Sequence, residues 1–334
     1  MPTPDFPRVK LHVVTGKGGT GKTTVAASLA LALASQGKDV LLCEVEGRQG
    51  IARLFDVEPL PYEERRIAVG LAAGDERPGT VYGLHIEPEA ALLEYLAMYY
   101  RLGPAGRALD RFGVIEFATT LAPGVRDVLL TGKVFEAAKK GRRGRNSRLY
   151  DAVVLDAPPT GRIARFLGVN SELAGLARMG PIKSQADSVM GLFRSARTAI
   201  HLVTVLEEMP VQETADGIAE LREAGLPVGG VVVNLARPRD LDEADLKAAR
   251  EGTFDQAAVT ADLDAAGLAV DDRLVTGLLT EAHDHAVRRA LEDDQREIVS
   301  GLGVPTYELP RLAAGADLGG LYEFAALLKQ QGMA

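Results

Sequence analysis

Residues 11–34, LHVVTGKGGTGKTTVAASLALALA, constrain this chain more than any other stretch. An apolar run of strand character leads into a glycine-rich loop, and an Ala/Leu run of helical character leads out. Gly16, Gly21, Lys22 and Thr23 match G-x-x-x-x-G-K-[ST] without a gap, in the strand–loop–helix context that the motif's mechanics require. Gly16, Gly18, Gly19 and Gly21, with Thr20 among them, let backbone N–H groups turn inward around phosphate oxygens. The helix that begins with Lys22, Thr23 and Thr24 adds the partial positive charge of its N-terminus. Lys22 is expected to reach the β and γ phosphates, and the Thr23 hydroxyl to ligate Mg²⁺.

A loop of this kind belongs at the end of a parallel strand, and the rest of the chain has the matching rhythm. Strands are predicted at Lys10–Thr15, Asp39–Val45, Tyr150–Asp156, Thr198–Leu206, Val228–Asn234 and Pro305–Leu309. Most are continuous apolar runs, such as DAVVLDA and VGGVVVN, as expected of strands covered on both faces. Helices are predicted at Thr23–Gln36, Val211–Ala224, Thr280–Gly301 and Leu318–Gln331, with Gly37 and Gly225 closing two of them. The expected fold is therefore α/β, a doubly wound and mostly parallel sheet. We expect one P-loop domain over 1–334, with helical insertions at about 86–148 and 168–197 and an irregular acidic insertion at about 238–273.

Lys17 is surplus to the chemistry of the loop. GKGGTGKTT is, however, similar to the deviant phosphate loop of the class that includes ParA, MinD, nitrogenase iron protein and the arsenical pump ATPase. That resemblance implies ATP as the nucleotide, with ADP as its product. It also implies that Lys17 reaches across a dimer interface to stabilise charge on the partner's transferring phosphate.

YDAVVLDAPPTGRIARFL places Asp156 at the end of an apolar strand, where a carboxylate can serve the Mg²⁺. The segment resembles the D-T-A-P-T-G-H-T-x-R-F-L switch II of the arsenical pump ATPase and the tail-anchored-protein targeting factor. In that resemblance Pro159 belongs to the nucleotide contacts, and Gly161 offers the N–H that senses the γ-phosphate. LAPGVRDVLLTGKVFEA resembles the family's A-P-G-x-x-E helix, with Asp127 where the family has Glu. The stretch from Val203 to Pro238 resembles its strand–helix–strand ending in an adenine-reading asparagine, here Asn234. The chain is thus identified as similar to the ArsA-like anion-transporting ATPases, with residues 56–115 and 236–280 matched weakly.

Three features depart from that family. Its switch I reads D-P-A, and the acid orients the attacking water. Here VLLCEVEGRQGIARLF places Glu46 in the acid's position, with one extra methylene; its competing role is to end the strand. A misplacement of about 1 Å costs roughly 10²-fold in rate, so slow hydrolysis or dependence on a second subunit is expected. Glu44, two residues earlier on the same strand face, is the lesser candidate. Second, Cys43 is the sole cysteine, which excludes a cysteine-built metalloid or dimer-zinc site. Third, the chain carries a single phosphate loop, so an identical or paralogous second chain is implied.

Composition narrows the partners. A net charge of -8 disfavours nucleic acid. No apolar run reaches the roughly 18–20 residues of a membrane span, and the first ten residues lack the core of a secretory signal, so a cytoplasmic chain is expected, peripheral to a membrane only through a partner. Three segments carry two readings each. KKGRRGRNSR, residues 139–148, is a solvated basic loop or a docking patch for an acidic partner or anionic lipid. Met179, Met190, Leu192 and Phe193 are core or the lining of a hydrophobic client groove. Leu321, Phe324, Leu327 and Leu328 make the last helix a core-packing element or a membrane anchor, and Lys329 as its one cation favours the core. Three functions compete: an ATP-driven switch for transport, membrane-protein targeting or efflux; a regulatory switch with weak hydrolysis paired with a paralogue; and a ParA- or MinD-like positioning ATPase.

Overall fold

The computed structural model describes residues 3–47, 49–71, 77–100, 123–139, 148–176, 181–238, 241–313 and 315–334. Among these, eight strands form one sheet: β1 (Leu11–Gly16), β2 (Val40–Glu44), β3 (Arg65–Val69), β4 (Thr80–His85), β5 (Ala152–Asp156), β6 (Thr198–Thr204), β7 (Val228–Ala236) and β8 (Thr306–Pro310). Their order is β3-β4-β2-β5-β1-β6-β7-β8, parallel throughout except for β3, which runs antiparallel to β4. The central strands β1, β2, β5 and β6 are buried along their whole length. That is why they read as mostly apolar runs.

Helices cover both faces. On one face lie α1 (Lys22–Ala34) and, much later in sequence, α11 (Leu318–Gln330). α1 is buried from Val25 to Ala34, a helix apolar on every side and therefore interior. Leu321, Phe324 and Leu328 of α11 enter the same core cluster, so this helix packs on the body of the protein. Between these two in the chain run α2 (Gly50–Leu54), α3 (Pro88–Tyr100), α4 (Pro123–Ala138), α5 (Thr160–Leu176), α6 (Pro181–Phe193), α7 (Glu208–Glu223), α8 (Glu243–Glu251), α9 (Gln256–Ala265) and α10 (Asp272–Ser300). The opposite face of the sheet packs on α4, α5, α6 and α7. Gly37 and Gly225 take positive φ after α1 and α7, and Leu226 N–H closes back on Leu221 O at 2.8 Å, a glycine-terminated helix end.

The structure differs from the sequence reading in three places. β3 and β4 extend one edge of the sheet. β3 is short and exposes Arg65 and Arg66, features that protect an edge from further pairing and erase the apolar signature of a buried strand. Within the stretch 238–273, where an irregular insertion was expected, Glu243–Glu251 and Gln256–Ala265 are helical. Asp242 and Asp255 start α8 and α9 by accepting backbone N–H bonds, and α9 buries none of its residues, so hydrophobic periodicity is weak there. The helix expected from Thr280 begins at Asp272 and runs through Gly277, its first turn capped by Asp271. Met190, Leu192 and Phe193 of α6 are core residues; Met179 lies outside the described residues, as do residues 140–147 of the basic segment.

Candidate nucleotide-binding site

The parallel strands end on one edge, and the sequence-predicted residues meet there. β1 lies between β5 and β6, with the neighbouring connections leaving in opposite directions, which opens a crevice at the strands' carboxyl ends. The loop 16–21 fills it. Gly16 has φ 152°, and a Cβ there would stand 2.2 Å from Val203 O. Gly21 has φ 89°, and a Cβ would stand 2.2 Å from Asn234 Nδ2. Neither position tolerates a side chain. Around Gly18 and Gly19 there is open space instead.

Inside the loop, Thr20 Oγ1 donates to Lys17 O at 2.9 Å, and Lys22 Nζ lies 3.4 Å from the same oxygen. Gly21 caps α1 without a side-chain hydrogen bond, and the first turn, with Thr23 and Thr24, carries no acid. The first N–H groups of a helix have no partner within it, so this turn presents donors and positive partial charge to an anion. These features fit the phosphates of a nucleotide.

Asp156 ends β5 in register with Val14 of β1 and Glu44 of β2. It accepts a hydrogen bond from Thr23 Oγ1 at 2.6 Å, bringing the two expected Mg²⁺ ligands together. Burial pushes the Asp156 carboxyl up to about 7; the Thr23 hydrogen bond and Lys22 oppose that rise, while Glu44 and Glu46 add to it. A hydroxyl and a carboxylate surrounded by further acids form a hard-oxygen donor set suited to Mg²⁺. The turn after β5 is tied down by Ala157 N–H to Val14 O at 2.9 Å and Thr15 Oγ1 to Pro158 O at 2.7 Å. Pro159 follows, and Gly161 lies exposed in the first turn of α5, with nothing near the place of a Cβ.

Glu44 and Glu46 have separate surroundings. Glu44 is buried and its Oε1 accepts Gly50 N–H at 2.7 Å, joining the end of β2 to the start of α2. Gly50 itself sits against Thr23. Glu46, past the strand, lines a cavity of about 280 Å³ together with Gly47, Asp127, Pro158 and Arg162. Arg162 Nη1 lies 4.0 Å from Glu46 and Nη2 3.8 Å from Asp127. Burial raises the Asp127 carboxyl, and Arg162, Arg126 and Arg165 counteract that. Glu46, Asp127 and Arg162 therefore surround one opening.

Asn234, on β7, is buried with its Nδ2 donating to Thr20 O at 2.8 Å, while Oδ1 has no partner among the described residues. Its amide nitrogen thus steadies the loop, and its oxygen is left for a further donor. Lys17 pairs with Glu213 of α7 at 2.7 Å. Glu213 was not anticipated, because nothing in its local sequence distinguishes it from other exposed helix acids. Among the described residues, no helix is long and apolar enough to cross a membrane.

Residues 9–196 match the family model described as Anion-transporting ATPase. The chain is 53% identical to ATPase BagA of Mycobacterium tuberculosis, over 97% of this chain and 94% of that one. It is 27% identical to ATPase GET3 of Kluyveromyces lactis, over 70% of this chain and 73% of that protein. The arsenical pump-driving ATPase of Escherichia coli is likewise 27% identical, over 77% of this chain and 45% of its own length.

Proposed function

The chain belongs to the anion-transporting ATPase family of ATP-hydrolysing enzymes, and from that premise we propose that it is a dimeric switch driven by MgATP. One observation carries the proposal. Lys17 gives its ammonium to Glu213 of α7, 2.7 Å away, while Lys22 stays against the loop backbone. A loop cation paired with an acid of another helix is suited to a partner's phosphate. Lys17 and Glu213 are each about a third exposed, at 34% and 38%, and such pairs are worth only about 0.2–1 kcal/mol. Glu213 can therefore release Lys17 when a second subunit arrives.

In the proposed reaction the loop N–H groups and Lys22 hold the phosphates of ATP. Thr23 and Asp156 hold Mg²⁺, which supplies charge neutralisation on the phosphate oxygens. Glu46 orients the attacking water, and the Gly161 N–H hydrogen-bonds the γ-phosphate. Lys17 of the partner stabilises charge developing on the transferred group. Asn234 Oδ1 accepts from the adenine amino group. Closure and reopening would act on a transport, membrane-targeting or efflux partner.

A regulatory switch with slow hydrolysis, paired with a paralogue, is the second reading. It is favoured by the extra methylene of Glu46. A ParA- or MinD-like positioning role is disfavoured by the net charge of -8. Light scattering of the purified chain with ADP and with a non-hydrolysable ATP analogue tests the proposal. Dimer formation with the analogue alone is expected; a monomer in both states that turns over at full rate would overturn it.

A further inference from the structure

We infer that Arg162 is a positioning residue for hydrolysis, holding the Glu46 carboxylate between the two switches by bracing it against Asp127. The inference rests on the reading of Glu46 as the water-orienting acid.

The segment carrying Glu46 is fixed firmly at its far end. Glu44 Oε1 holds Gly50 N–H at 2.7 Å. The Gln49 side chain pairs in both directions with the Leu60 backbone, at 3.1 and 2.8 Å. Those bonds place the backbone, but the Glu46 side chain takes its ionic contact from elsewhere. Among the described residues that contact is Arg162, 4.0 Å away. Arg162 follows Gly161 directly, so it moves with the residue proposed to sense the γ-phosphate. Its other nitrogen faces Asp127 of α4 at 3.8 Å. One guanidinium thus spans switch I, switch II and α4 across the cavity of about 280 Å³.

The side-chain lengths are complementary. Relative to the D-P-A, A-P-G-x-x-E and D-T-A-P-T-G-H patterns, Glu46 is one methylene longer, Asp127 one shorter, and Arg162 replaces a histidine. All three differences meet at one place. A planar, two-ended cation can face both carboxylates at once, whereas a point charge on a lysine stem serves one. Both gaps are ion-pair distances, longer than a hydrogen bond, so the guanidinium acts on the two carboxylates through its charge.

The test compares Arg162→Ala, Arg162→Lys, Glu46→Gln and the Arg162→Ala/Glu46→Gln double variant in steady-state MgATP hydrolysis, with ADP affinity as a check of site integrity. Arg162→Ala should lower kcat by roughly 10²-fold with KM unchanged, as for loss of alignment by about 1 Å. Arg162→Lys should recover part of that loss. The double variant should be no slower than Glu46→Gln alone, because both remove the same function. Losses that multiply, or a change in KM with kcat intact, would overturn the role of Arg162. Full activity in Glu46→Gln would instead remove the reading of Glu46, and this inference with it.

Discussion

Acid should destabilise this fold through two histidines in the middle of the sheet. His12 on β1 and His201 on β6 are buried, with Nδ1 of His12 3.1 Å from Nε2 of His201. Gly230 N–H donates to His201 Nδ1 at 3.2 Å, so His201 carries its proton on Nε2 and donates it to His12. Both rings are then neutral, and neither has room for a second proton. Burial depresses both: His12 falls well below 6.5, helped by His201 and Lys38, and His201 falls to about 3. Below pH 6.5 the unfolded chain takes up a proton on each ring while the folded chain does not, so stability falls with pH down toward about 3. His201, at about 3, stays neutral over this range and contributes about 2 kcal/mol between pH 7 and pH 5, and His12 adds to the loss in the same direction. The raised carboxyls of Asp156 and Asp127 act in the opposite sense, because the folded chain protonates them first. Comparison with His12→Gln, whose amide oxygen can still accept from His201, cancels those contributions. Urea unfolding at pH 7 and pH 5 should show the variant's deficit against the parent shrinking as the pH falls. A deficit that does not change with pH would refute the neutral pair.

Three further outcomes follow from the site. Glu213→Gln should leave stability within about 1 kcal/mol of the parent and raise turnover by no more than about fivefold, since it removes only a surface ion pair. A loss of turnover would mean that Glu213 is required, which steady-state kinetics reads directly. Asn234→Ala leaves the buried Thr20 carbonyl unpaired and should weaken ADP binding by about 1–3 kcal/mol in calorimetry. Gly21→Ala meets Asn234 at 2.2 Å with φ 89°, so nucleotide binding should disappear while the far-ultraviolet circular dichroism is retained.

Much of this architecture is written in local sequence, for a physical reason. Strands covered on both faces are mostly apolar, so β1, β2, β5, β6 and β7 announce themselves. β3 lies at the edge, and α8 and α9 are largely exposed, so burial imposes little pattern on them. The phosphate loop is legible because backbone geometry demands glycine at fixed intervals. Asp156 is legible because an acid ends an apolar run. Contacts between distant segments are not: Lys17 with Glu213, Arg162 between Glu46 and Asp127, and His12 with His201 depend on how helices and strands are brought together. Asn234 is an intermediate case. Its resemblance to a base-reading asparagine is visible in sequence, but the bond that holds the loop is visible only in the fold.

The most direct test of the central claim mixes two variants that should each be inactive. Lys17→Ala keeps its own phosphate loop but offers no cation to a partner, while Lys22→Ala offers Lys17 but cannot hold its own phosphates. If Lys17 acts across the interface, combining them restores ATP hydrolysis in the mixed dimer. A mixture as inactive as its components, or a Lys17→Ala chain that hydrolyses ATP normally by itself, would contradict the account.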